Sequence, residues 1–155
     1  MGKERQIILF VFACLFWSAC STTRTLPEGE KLYTGAKVDI TGPNLTSGQK
    51  KSLRNELAAI TRPRPNARLF GIPFKLMIYN AFGNRRPDSF FGKLRDKFGQ
   101  PPVLLSNFDV DRNNKILENH LENRGFFNAA VTGDTVVKGK KGSALFKAET
   151  GNQYL

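Results

Sequence analysis

Residues 121–150 have the sequence LENRGFFNAAVTGDTVVKGKKGSALFKAET, which predicts a helix end followed by a β-hairpin. Gly125 is suited to the left-handed conformation in which many helices end. Asn128 to Lys138 is predicted to form the first strand, and Ala144 to Thr150 the returning strand. Gly139-Lys140-Lys141-Gly142 is predicted to be a four-residue turn between them. An isolated hairpin is marginal in water, so its apolar face requires other elements to cover it.

Two helices and one strand earlier in the chain can supply that cover. Asp109 is predicted to open a helix whose apolar side includes Leu117 and Leu121. An earlier helix is predicted to begin at the capping box Thr46-Ser47-Gly48-Gln49. Polar and apolar residues alternate from Lys37 to Thr41, which predicts a short strand. The order predicts an α+β fold of the β-α-α-β-β type, with a three-stranded sheet covered on one face by two helices.

Between the two helices lies a helical insertion, at about residues 62–105, that is apolar, aromatic and basic. Pro87 is predicted to sit in the first turn of a helix that Gly99 stops. The aromatic face of that helix and its flanking basic residues are a candidate membrane surface, comprising Phe90, Phe91, Lys93, Leu94, Arg95, Lys97 and Phe98. This composition suits a helix lying at a membrane interface, and it also suits a helix packed on a neighbouring domain.

The N-terminus has the pattern of an export signal. Ile7 to Trp17 is uninterrupted and apolar, too short to cross a bilayer, and it follows a charged start. Small residues at Ser18 and Ala19 before Cys20 resemble a bacterial lipobox, in which the cysteine is lipidated. Residues 1–19 are therefore predicted to be a lipoprotein signal peptide and residues 20–35 a lipidated tether. An ordinary signal peptide with a chance cysteine is the alternative.

The charge of the chain is concentrated in one stretch. From Lys50 to Lys97 there are 12 Lys or Arg against 3 Asp or Glu, a net charge of +9 out of +11 for the chain. An export signal argues against nucleic acid as the partner, and an anionic lipid surface fits better. A solvated basic face that only keeps the domain soluble is the alternative.

The residues that usually carry catalysis are sparse. His120 is the single histidine, and the sequence contains no glycine-rich phosphate loop and no set of metal ligands at the usual spacing. We therefore expect a binding protein without a cofactor or metal rather than an enzyme. A hydrolase that uses His120 as its base is the remaining enzymatic alternative.

Four pieces of sequence carry a resemblance to a known family. They are the lipobox with CSTTRTLPEGEKLYTGAKVDI, the insertion FGIPFKLMIYNAFGNRR, the step GQPPVLL and the helix end LENRGFFNAAV. In their order and spacing they resemble the N-terminal region of the BamA/TamA outer-membrane translocase superfamily, specifically the lipidated TamL-like proteins of Bacteroidetes. The resemblance covers nearly the whole chain.

The resemblance implies a POTRA-like domain over residues 36–150, with residues 151–155 as the start of a truncated following domain. It implies an outer-membrane lipid anchor, a domain in the periplasm, and a β-barrel domain in a full-length version. The implied function is assembly or translocation of outer-membrane proteins, with unfolded clients or assembly-complex proteins as partners. A generic outer-membrane lipoprotein that binds the membrane through its basic aromatic insertion is the alternative function.

Binding to many clients is expected to occur by β-augmentation, because a sheet edge offers backbone groups to any extended chain. The predicted edge lies between Asn128 and Val137, and its candidate residues are Asn128, Ala129, Ala130, Val131, Thr135, Val136 and Val137. A purely structural edge is the alternative, and Gly133-Asp134 is a candidate bulge that would interrupt pairing.

Overall fold

A computed structural model of the chain describes residues 22, 23 and 25–154. The predicted signal peptide and the candidate lipidation site Cys20 lie outside these residues. The helices and strands, in chain order, are β1 Leu32–Thr41, α1 Ser47–Ile60, α2 Phe74–Ala81, α3 Phe90–Phe98, α4 Val110–Asn123, β2 Ala130–Lys138 and β3 Lys141–Glu149, with a 3-10 turn at Leu105–Asn107.

The chain folds as two units. The larger unit comprises Leu26–Asn66 and Pro102–Leu155 and contains the sheet, α1 and α4. The smaller unit includes Ala67–Pro101, which lies inside the insertion predicted at 62–105 and forms α2 and α3. The described residues thus contain four helices and one three-stranded mixed sheet, which confirms the α+β class.

The sheet has the strand order β1-β3-β2, so the last strand of the chain lies in the centre. β1 runs parallel to β3, and β2 runs antiparallel to it. The hairpin pairs Lys138 with Lys141, so the turn has two residues, Gly139 and Lys140, and the predicted four-residue turn is wrong. Gly139 has a φ of +58°, which suits the first position of a two-residue turn that follows the strand twist.

The predicted bulge at Gly133-Asp134 is also wrong. The β2–β3 register is continuous from Ala130 opposite Glu149 to Lys138 opposite Lys141. Gly133 is opposite Phe146, and a Cβ atom at this position would collide with the Phe146 ring. The glycine therefore serves close packing against an aromatic side chain rather than an interruption of the strand.

β1 begins at Leu32, five residues before the predicted Lys37. Leu32 and Tyr33 are buried, although they fall in the segment expected to be a tether. The Tyr33 N–H donates to the Val103 carbonyl at 2.8 Å, and the register against β3 shifts between Tyr33 and Ala36. This early part of β1 forms because it pairs with a segment distant in the sequence, and the polar–apolar alternation that predicted the strand from Lys37 does not extend to it.

The helix termini follow the predicted capping residues. Thr46 and Gln49 form the reciprocal capping box of α1, with the Thr46 N–H donating to Gln49 Oε1 at 2.9 Å. Asp109 caps α4 by accepting the Arg112 N–H at 2.9 Å. Gly125, with a φ of +86°, follows the end of α4 as predicted.

The core lies between one face of the sheet and the helices α1 and α4. Its fully or almost fully buried side chains include Val38, Ile40, Leu53, Leu57, Leu117, Leu121, Ala144, Phe146 and Ala148. The buried residues of β1 and β3 alternate with exposed ones, which leaves the other face of the sheet toward solvent.

One buried amide joins the two helices that cover the sheet. Asn113 on α4 is fully buried, and its Nδ2 donates to the carbonyls of Arg62 and Asp109 at 2.7 Å each. Its Oδ1 accepts the Arg62 N–H at 2.8 Å. The segment that follows α1 is thereby fixed against the first turn of α4.

We expect Asn113→Ala to lower the free energy of unfolding by about 1–3 kcal/mol, because the backbone N–H and carbonyl of Arg62 lose their partners in a partly buried site. Urea unfolding followed by circular dichroism measures the loss. Asn119→Ala, at an exposed position on the same helix, is the control and should change stability by less than about 0.5 kcal/mol. Equal losses in the two variants would contradict the bridging role of Asn113.

Candidate functional site

The predicted client-binding residues lie along one edge of the sheet. Ala130 to Val137 are on β2, which among the described strands pairs with β3 alone, and Asn128 and Ala129 immediately precede the strand. The structure therefore brings these residues together in one line. Val131 is buried on the helix-covered face, and Val137 is exposed at the hairpin end.

Carboxylates occupy two backbone donors of this edge. The Val131 N–H donates to Glu118 Oε1 of α4 at 2.9 Å, and the Thr135 N–H donates to Asp134 Oδ1 at 2.7 Å. Val131 and Thr135 are four residues apart, so their N–H groups point to the same side of the strand, away from β3. The β2 edge is thus partly blunted, in the manner by which sheets discourage pairing with other chains.

The opposite edge of the sheet, along β1, uses the same device once. The Ile40 N–H donates to Asp39 Oδ1 at 3.1 Å, and the same oxygen accepts a bond from Arg54 Nη2 of α1 at 3.2 Å. The side chains of Asp39 and Arg54 are 71% and 46% exposed, so this ion pair contributes at most about 1 kcal/mol. Its carboxylate is free to move with little loss of stability.

A groove of about 540 Å³ lies beside β1, between this strand and α1. Its apolar wall includes Ala36, Val38, Ala58, Leu145 and Phe146. Lys37, Asp39, Arg54, Asn55 and Lys147 supply its polar lining. No local sequence pattern predicts this groove, because it forms only when β1 and α1 pack. The small side chains of Ala36 and Ala58 are the only sign of it in the sequence.

The candidate membrane surface lies on α3 in the smaller unit. Phe90 is 74% exposed, Phe91 and Phe98 are also exposed, and Leu94 is half-buried. Lys93 and Lys97 are exposed, and Arg95 is half-buried. The structure thus places the predicted aromatic face on one exposed helix with its basic neighbours.

Contacts within the smaller unit hold this helix. The Phe91 ring stacks on Phe82 with centroids 5.2 Å apart, and the Arg95 guanidinium lies 6.0 Å from the Tyr79 ring centroid. Ser89 caps the helix, so Pro87 precedes it instead of standing in its first turn as predicted. The reason is that the Ser89 hydroxyl accepts the Gly92 N–H at 3.0 Å and thereby sets a later start.

His120 bridges two helices. Its Nε2 lies 2.8 Å from Glu56 Oε1 of α1, and Arg124 Nη1 lies 3.7 Å from the same oxygen. In the described part of the chain, no group of three or more His, Cys, Asp or Glu side chains is placed to hold a metal ion.

Among the described residues, burial acts most strongly on the pKa of a core tyrosine. Desolvation raises the pKa of the Tyr33 hydroxyl to about 12. The neighbouring Thr61 side chain has a smaller effect, which lowers this pKa. Both residues are buried in the larger unit, and neither lines the groove or belongs to β2.

None of the helices formed by residues 22, 23 and 25–154 has the length and apolar character that crossing a membrane requires. Comparisons of this chain with protein-family models, with curated proteins and with solved structures yield no match.

We expect the double variant Glu118→Ala/Asp134→Ala to expose the outward N–H groups of the β2 edge. Amide hydrogen exchange at Val131 and Thr135 should accelerate by about tenfold or more, because each loses a hydrogen bond to a charged acceptor. Exchange measured by NMR checks this, with Glu122→Ala on the exposed side of α4 as the control. Unchanged protection at both amides would show that the carboxylates do not cap this edge.

Proposed function

We propose that this chain is the lipid-anchored, POTRA-like module of an outer-membrane protein assembly or translocation factor of the TamL-like kind. In this proposal, Cys20 carries the lipid, the folded domain lies in the periplasm, and a β-barrel domain belongs to the full-length protein. The module binds extended segments of unfolded clients or partner proteins by β-augmentation. The observation that carries the proposal is a three-stranded sheet with an edge strand bordered by an open groove.

The backbone of β1 favours strand addition. The Thr41 carbonyl accepts the Thr150 N–H at 2.8 Å, whereas the neighbouring Ile40 N–H is taken by Asp39. Because successive residues of a strand direct their backbone groups to opposite sides, the outward side of β1 includes the N–H groups of Val38 and Ile40. A client strand that displaces the Asp39 carboxylate can pair with both.

The groove supplies the second requirement, which is space for side chains. Alternate residues of an added strand face the same side, so every second client side chain would enter the apolar wall near Val38 and Ala58. The predicted edge between Asn128 and Val137 lacks this advantage. Its Val131 N–H is held by Glu118, a half-buried side chain of α4, which is harder to displace than the exposed Asp39. The β1 edge is therefore the better candidate for client binding.

We expect Asn55→Trp to weaken binding of an extended peptide at least about tenfold, because a large side chain on exposed Asn55 fills the groove without disturbing the core. The probe is a synthetic strand of about ten alternating apolar and polar residues, the pattern of a barrel strand. Fluorescence anisotropy measures its affinity.

Ala59→Trp is the matched control, since Ala59 is exposed on the same helix and does not line the groove. Equal affinities for the two variants and the unchanged chain would exclude the β1 edge. Loss of binding in the variant Glu118→Ala/Asp134→Ala, with no effect of Asn55→Trp, would instead assign the client to β2.

A second candidate function is attachment of the domain to the membrane surface, and the exposure of the α3 aromatic face favours it. Phe90, Phe91 and Phe98 present apolar area to solvent beside Lys93 and Lys97. Apolar and basic side chains together on one helix suit an anionic lipid interface, where apolar burial adds to electrostatic attraction. Client binding and this attachment are compatible, since they use different surfaces.

Charge reversal tests the electrostatic part of this attachment. We expect Lys93→Glu/Lys97→Glu to reduce co-sedimentation with phosphatidylglycerol vesicles at least about tenfold at low salt, because each basic residue near an anionic surface contributes about 1 kcal/mol. Lys51→Glu/Lys115→Glu, at exposed positions of the larger unit, keeps the same net charge and serves as the control. Equal losses in both variants would show a general charge effect without a defined surface.

A further inference from the structure

A second exposed apolar feature of the smaller unit is a tight turn between Leu69 and Ile72. The Leu69 N–H donates to the Ile72 carbonyl at 2.9 Å, and the Ile72 N–H donates to the Leu69 carbonyl at 3.0 Å. The two central residues, Phe70 and Gly71, have φ values of +50° and +80°. Glycine adopts this conformation readily, but for a bulky side chain such as Phe it is uncommon and costs free energy.

The Phe70 side chain is not buried by the fold. It is 95% exposed, the highest value among the exposed large hydrophobic residues described. Leu69, Ile72 and Phe74 beside it are also more than half exposed. A strained backbone that projects an apolar side chain into water stabilises neither the turn nor the core, so its use lies in contact with something outside the chain.

The charge around the turn indicates what that contact is. Arg68 and Lys75 flank the turn and are both exposed. Residues 67–101 carry seven Lys or Arg and two Asp, which gives a net charge of 7 − 2 = +5. An apolar tip with basic residues around it complements a bilayer interface, in which acyl chains lie below anionic headgroups.

The length of the tether places the smaller unit close to that interface. The Thr25 hydroxyl donates to Asn80 Oδ1 on α2, so the chain is attached to this unit at Thr25. Cys20 is five residues earlier, and five extended residues span at most ~17 Å. A lipid on Cys20 would therefore hold Thr25, and with it the Asn80 side chain to which Thr25 bonds, close to the membrane.

We propose that the turn Leu69–Ile72 inserts into the membrane, with Phe70 at its tip among the acyl chains and Arg68 and Lys75 at anionic headgroups. The proposal goes beyond client binding. Lipidation of Cys20 would bring the turn to the membrane, whereas the insertion of the turn itself does not require the lipid and can be measured on the unlipidated chain. Insertion of the turn is also distinct from attachment through the α3 face, because it uses a different element. The reciprocal hydrogen bonds between Leu69 and Ile72 satisfy the N–H and C=O groups of these two residues, which keep their partners when the turn leaves water.

A single tryptophan reports the depth of insertion. The only tryptophan of the chain, Trp17, precedes Cys20, so the proposed mature chain, residues 20–155 with Cys20→Ser, contains none. In this chain Phe70→Trp is expected to shift its emission to the blue on mixed phosphatidylglycerol and phosphatidylethanolamine vesicles. Brominated acyl chains should quench it. Phe127→Trp, exposed on the larger unit, is the control and should remain unquenched.

A second variant separates membrane binding from folding. Phe70→Gly removes the side chain and relieves the left-handed backbone, so we expect a melting temperature that is unchanged or higher. Partition onto the same vesicles should fall at least about fivefold, whereas Phe127→Gly should leave it unchanged. Unchanged partition of Phe70→Gly, or an unquenched tryptophan at position 70, would overturn the proposal. Quenching of Phe90→Trp without quenching of Phe70→Trp would assign the contact to α3 alone.

Discussion

Three hydrogen bonds made by the buried amide of Asn113 hold the arrangement on which the larger unit depends. They tie the backbone of Arg62, just after α1, to the first turn of α4, and so keep both helices over the same face of the sheet. A buried amide remains favourable only while its partners are in place, which makes it specific as well as stabilising. The buried side chain of Asn66 accepts the Val103 N–H at 3.0 Å. A second buried asparagine thus joins the segment that precedes residues 67–101 to the segment that follows them.

Carboxylates occupy outward backbone N–H groups on both free edges of the sheet. Asp39 and Asp134 each accept the N–H of the following residue, and Glu118 adds a third bond from a neighbouring helix. This device discourages pairing with arbitrary chains. The two edges differ in how easily the carboxylate is displaced and in the space beside the strand. In the proposed function, that difference makes β1 rather than β2 the candidate edge for client binding.

The surfaces that the sequence predicted are those formed by one element. The aromatic face of α3 and the line of residues on β2 depend on local periodicity, which the side-chain pattern of Phe90, Phe98 and Val131 displays directly. The groove beside β1 needs a strand and a helix that are distant in sequence, so no local pattern marks it. The turn at Phe70 was not predicted for a different reason. Phe70 has a positive φ, and the residues that usually indicate such a turn position in a sequence are Asn, Asp and Gly.

The sequence by itself determined the α+β class, the start of α1, both ends of α4, and the separation of an aromatic, basic insertion. Capping residues such as Thr46, Asp109 and Gly125 act through bonds and dihedral angles that span only a few residues, so they can be recognised locally. Only the tertiary structure decided that β3 lies between β1 and β2, that β1 begins at Leu32, and that Asn113 is a buried bridge. These features depend on contacts between residues far apart in the chain, whose free energy is gained only when the whole unit has formed.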